Sequence, residues 1–95
     1  MKVFKAEPIQ EKLGDPRWSR SKHKGWVEVM AETEGQAMTL VEWKYIEVRV
    51  NPGPVEQLEN PWGDKSLVNW NEISDHEYTL EAEARILRDG IAPPP

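Results

Sequence analysis

Residues 25–31, GWVEVMA, alternate with a period of two, and a helix-start signal follows two residues later. Val27, Val29 and Ala31 share one strand face, with Trp26, Glu28 and Met30 on the other. Thr33 and Gln36 then have capping-box spacing: the hydroxyl can accept from a free helix N–H, and the amide can reach back. Glu34 suits the positive end of a helix. Ala37, Leu40, Val41, Lys44, Tyr45 and Val48 recur at three and four and form a stripe. A strand that hands over this abruptly to a helix demands layers, because the apolar faces must cover each other. The expected fold class is α+β: a three- to four-stranded, mostly antiparallel sheet with one helix, about 34–47, packed on one face. A second reading stays open. ETEG can form a hairpin turn, and Ile46, Val48 and Val50 alternate with Glu47 and Arg49 as a long strand would.

Residues 2–9, KVFKAEPI, read as a first strand that Pro8 ends or places at an edge. Residues 10–24 read as a loop, with Gly14-Asp15-Pro16 as turn chemistry. Residues 51–63 form a second loop rich in proline and glycine. Residues 66–73, SLVNWNEI, read as another strand, with Leu67, Asn69, Asn71 and Ile73 on one face and Val68, Trp70 and Glu72 on the other. Residues 78–88 fit two periods. Ala82, Ala84 and Ile86 suit a strand; Leu80, Ala84, Leu87 and Ile91 suit a helix that Ser74 and Glu77 would cap. The expected organisation is one domain over 1–90 and a Pro-rich extended tail over 91–95.

Composition excludes several chemistries. With no cysteine there is no disulfide, no thiolate nucleophile and no Cys-based zinc site. The N-terminal residues hold no apolar run of signal-peptide length, and no run is long enough to span a bilayer. A cytoplasmic protein without membrane contact is expected. The net charge of −5 is uneven. The first fifty residues carry nine Lys and Arg against eight Asp and Glu; the rest carry three against nine. Such a chain repels nucleic acid unless its cations cluster.

One cluster exists, DPRWSRSKHKGW at 15–26. Arg17, Arg20, Lys22 and Lys24 can neutralise phosphates, and Trp18 can stack on a base. The plainer reading is a charged loop pegged to the core by Trp18 and Trp26. Residues 74–78, SDHEY, combine carboxylates, an imidazole and a phenol, but neighbouring side chains diverge. His23 and His76 are the only histidines, so no metal site and no cofactor are expected. Trp62, between Pro61 and Gly63, is either a plug for a long loop or an exposed anchor. Asn69 and Asn71 suggest a solvated or interfacial strand face, with Trp70 beside them. No glycine-rich phosphate loop and no nucleophile elbow occurs, and no catalytic residue is assigned.

The order of DPRW, AETEGQAMTLVE, NPW and SLVNWNEI resembles that of a type of short, uncharacterised bacterial protein of about this length. The resemblance implies a small α+β domain and favours a strand over 82–88. It brings no activity, ligand or functional residue. The expected function is a non-enzymatic binding or interaction module with a protein partner, or a homodimer formed through the sheet. The alternatives are anion or nucleic-acid binding through 17–24, and an acidic inhibitor-type protein docking on a basic partner, with Glu81 and Glu83 among its acids.

Overall fold

The alternation at 26–31 builds the centre of the sheet. The computed structural model describes residues 1–46, 60–79 and 83–91. Its strands are β1 (Lys2–Pro8), β2 (Trp26–Ala31), β3 (Val68–Ile73) and β4 (Arg85–Gly90), with one helix, α1 (Glu34–Tyr45). The sheet order is β3-β1-β2-β4, and every neighbouring pair is antiparallel. This is the expected α+β architecture of one helix and a four-stranded sheet. Short 3-10 turns cover Gln10–Lys12, Pro16–Arg20 and Pro61–Gly63.

The capping reading at Thr33 holds with one change. The Gln36 amide nitrogen of the backbone donates to Thr33 Oγ1 at 3.1 Å. The Gln36 side chain reaches one residue further than a standard capping box, accepting from the Glu32 N–H at 2.8 Å. Such a cap stabilises by about 1 kcal/mol, which offsets the cost of Gly35, also about 1 kcal/mol. Burial then decides for the helix. Ala37, Val41 and Tyr45 are buried against the sheet, and each large apolar side chain contributes about 1.5–3 kcal/mol. The helix ends at Tyr45, just short of the expected 47; Ile46 is extended and bridges to Ser21. The question of a strand over 47–50 lies outside the described residues, as do most of the 51–63 loop, Glu81 and the tail beyond 91.

Val27, Val29 and Ala31 face the helix together with Phe4, Ala6, Val68 and Trp70. β4 joins β2 with a register shift: Glu28 pairs with Arg88, but Val29 pairs with Ile86. Leu87 is the extra residue of a β-bulge. The bulge breaks the period of two, so Ile86 packs on the core while Arg88 stands on the opposite face with Glu28.

That opposite face was expected to be solvated or paired with another chain. Instead Val3, Trp26, Glu28 and Met30 are all buried. β3 and β4 lie at opposite edges of the sheet, so their connection must cross it. Residues 75–78 of that connection share a cleft with Glu28 and Arg88, which places the crossing over the face away from α1. No helix forms over 74–79, so Ser74 and Glu77 cap nothing there.

Candidate functional site

The basic loop is pegged at both ends. Asp15 Oδ1 accepts from the Arg17 N–H at 2.9 Å and from Arg17 Nε at 3.0 Å, which starts the 3-10 turn. The other side of the guanidinium binds Asp64, which follows the distant Pro61–Gly63 turn. Arg17 therefore serves as a clasp between two loops. The Arg17 hydrogen bonds hold the Asp15 carboxyl below the usual carboxylate range; hydrogen bonds from Ser66, reinforced by Arg17, do the same for Asp64. Trp18 is 1% exposed and offers no face to a base. Trp26 is buried as well, between Lys5 Nζ at 5.5 Å and the Arg88 guanidinium at 5.2 Å from its ring centre. Arg20 is half-buried, while Lys22 and Lys24 are exposed. The proposed phosphate contacts thus reduce to two free-standing lysines, with Arg17 engaged and Trp18 enclosed.

Trp62 is fully buried. Its indole N–H donates to Ser21 Oγ at 2.8 Å, and its carbonyl accepts from the Trp70 indole at 2.9 Å. Trp18 meets it edge to face at 5.2 Å. That contact is worth about 0.5–1.5 kcal/mol beyond burial. It offsets part of the cost of the Trp18 indole N–H, which has no partner among the described residues in its buried position. His23 stacks on Trp62 and lies 4.8 Å from the Tyr45 ring, with Nε2 3.1 Å from the Trp26 carbonyl. Trp62 and Trp70 are thus interior plugs. Asn69 and Asn71 remain exposed on β3, as expected of a solvated strand face.

Tyr45 carries the strongest consequence of this burial. Its hydroxyl bonds to the Asp89 carboxylate. Burial, and then that carboxylate, push the phenol well above its ordinary value of 10.0. The folded protein keeps this proton at a pH where the unfolded chain has lost it. Stability therefore declines as pH rises above 10. Tyr78 has the same sign, through burial first and the Glu28 carboxylate second. Urea midpoints are expected to fall progressively above pH 10, and less steeply for Tyr45→Phe. A wild-type profile flat from pH 9 to 11.5 would contradict this.

Two surfaces remain. One is the cleft of ≈ 560 Å³ lined by Glu28, Asp75, His76, Glu77, Tyr78 and Arg88. Glu28, 3% exposed, forms its floor. Arg88 Nε donates to Glu28 Oε1, and this bond raises the guanidinium pKa further. His76 Nδ1 accepts from the Tyr78 N–H at 3.2 Å, and the two rings lie 5.8 Å apart. Sequence adjacency alone did not bring SDHEY together with anything; the crossing over β2 does. Among the described residues no group of three or more His, Asp and Glu side chains can hold a metal ion.

The other surface was missed in the sequence. Trp43 is 74% exposed, whereas Trp18, Trp26, Trp62 and Trp70 are buried. Its signal was available, because 43 falls off the stripe of 37, 41 and 45 on a helical period. Also among the described residues, no helix is long and apolar enough to cross a membrane. Comparison with family models, with curated proteins and with solved structures finds no match.

Proposed function

We propose that this chain is a non-enzymatic interaction module that contacts a protein partner through Trp43 on α1. The observation that carries the reading is the single indole left in solvent while four others are enclosed. A helix face does not need tryptophan for solubility, and indoles dominate the energetics of protein interfaces. The non-enzymatic part rests on how reactive groups are spent. The His23 ring packs beside Tyr45 and stacks on Trp62, with Nε2 at the Trp26 carbonyl. Ser21 Oγ accepts from Trp62 and donates to the His23 carbonyl. Tyr45 is held by Asp89.

A homodimer through the sheet is supported less well. Its motive was an uncovered apolar face, and residues 75–78 lie along that face beside Glu28 of β2. Among the described residues the edges, β3 and β4, pair on one side only, but they carry Asn69, Asn71, Arg85, Arg88 and Asp89, which discourage edge pairing. Of the candidate contacts at 17–24, nucleic-acid binding keeps Lys22 and Lys24 as exposed cations.

The test uses Trp43→Ala. Its urea stability should stay within about 0.5 kcal/mol of wild type, as for an exposed position. A partner captured by wild type is purified and titrated directly. The substitution should weaken binding by about 2 kcal/mol or more, or about thirtyfold in Kd. An equal Kd for both proteins overturns the reading.

A further inference from the structure

The cleft on the face away from Trp43 is not explained by folding alone. Asp75 and Glu77 stand at its mouth, both exposed, and neither has an ion-pair partner among the described residues. Glu28 lies at its floor, a buried carboxylate that gives one oxygen, Oε1, to Arg88. Its second oxygen, Oε2, accepts no hydrogen bond among the described residues. It is also not among their fully enclosed, unpartnered atoms, so it keeps contact with solvent. The cleft is the route by which solvent reaches it. An oxygen that meets only water is open to a ligand N–H, and the enclosed surroundings of Glu28 strengthen a charge-assisted hydrogen bond there.

Charge selects the kind of donor. The lining holds three carboxylates against one guanidinium, and that guanidinium is already matched with Glu28. Arg88 also lies over the Trp26 ring and is bonded to Glu28, so it is wall and not ligand anchor. Two uncompensated acids at the mouth draw in a cation. Among the described residues no group of carboxylates and histidines is arranged to ligate a metal ion, which favours an organic cation with N–H donors. The cleft, ≈ 560 Å³, is large enough to admit a side chain together with part of the backbone that carries it.

We propose that this cleft receives one basic side chain, a lysine ammonium or an arginine guanidinium, presented by a protein partner. The cation donates to Glu28 Oε2 at the floor, and Asp75 and Glu77 flank it at the mouth. The protein source rests on the reading of the chain as an interaction module; the cation chemistry does not.

The experiment titrates the full chain with Nα-acetyl-lysine amide, Nα-acetyl-arginine amide and the neutral Nα-acetyl-norleucine amide. Amide chemical shifts are followed at pH 7 and low salt. At least one cationic probe should give saturable shifts confined to residues 28, 75–78 and 88, and norleucine should give none. The preferred probe tells ammonium from guanidinium. The variants Asp75→Asn and Glu77→Gln change exposed side chains and should leave the remaining spectrum intact. Each should weaken the preferred probe by about threefold, as expected for a solvent-screened charge. No saturable shift from either cation, equal shifts with norleucine, or unchanged affinity in both variants overturns the proposal. Trp43→Ala should leave this titration unchanged, so failure at Trp43 and failure at the cleft are read separately.

Discussion

Trp62→Ala is expected to lower the unfolding free energy by about 3–5 kcal/mol, the range for removing a buried Trp from a core. A domain of this size commonly has only about 5–15 kcal/mol in total, so the variant should sit at the edge of folding. Three losses add. The indole volume goes from a site with no exposure. The edge-to-face contact with Trp18 and the stacked His23 go with it. Ser21 Oγ also loses the donor that ties the basic loop to the Pro61–Gly63 turn. Trp62→Phe separates these terms, since it keeps much of the volume and removes the N–H. It should cost clearly less than Trp62→Ala. Urea unfolding checks both; a loss below about 1 kcal/mol for the alanine variant would contradict the role of Trp62 as the interior peg.

Gly25→Ala is the second large effect, and its mechanism is different. A Cβ at Gly25 would stand 1.9 Å from the Gly90 carbonyl oxygen. That atom is backbone, so no rotamer change relieves the clash. Gly90 cannot retreat toward β2 either, because a Cβ there would already lie 2.7 Å from the Trp26 ring. The end of β4 must swing away. The Trp26–Gly90 and Val27–Asp89 pairings would open, and with them the Tyr45 bond to Asp89. The cost should reach about 3 kcal/mol, the upper part of the usual range for overpacking. The small gain from a stiffer unfolded chain, about 0.4–1 kcal/mol, does not offset it. Hydrogen exchange gives the sharper readout. Protection should fall in β4 and persist in β1 and β3. Unchanged protection at residues 85–90 would refute the clash.

The parts legible in the sequence were those set by local periods. GWVEVMA specified both faces of β2, and SLVNWNEI separated Val68 and Trp70 from Asn69 and Asn71; the structure turns Trp70, an interaction candidate in the sequence, inward. Thr33 marked the helix start because a cap is a contact within three residues. β4 was ambiguous for a stated reason. The bulge at Leu87 shifts the phase inside one short strand, so neither a period of two nor one of 3.6 fits residues 80–91 cleanly. Arg17 read as a phosphate ligand because its partner, Asp64, lies 47 residues away. The cleft was illegible for the same reason: His76 and Tyr78 meet Glu28 only because β4 occupies the edge opposite β3. Trp43 is the exception. The helical stripe already excluded it, and an indole off the buried stripe was a sufficient signal.

The crossing from β3 to β4 also bears on the order in which the molecule can assemble. β1, β2 and α1 are close in sequence and can associate early. β2 acquires its second neighbour only when residues 85–90 arrive from the far edge. Until then β2 is paired on its β1 edge alone, and neither β4 nor residues 75–78 lie beside Glu28. Pairings of this separation carry the loop-closure cost that slows folding. A chain emerging from synthesis would therefore hold a sticky, half-finished sheet until nearly its last described residue is made. The late closure of β4 is the step at which aggregation and folding compete.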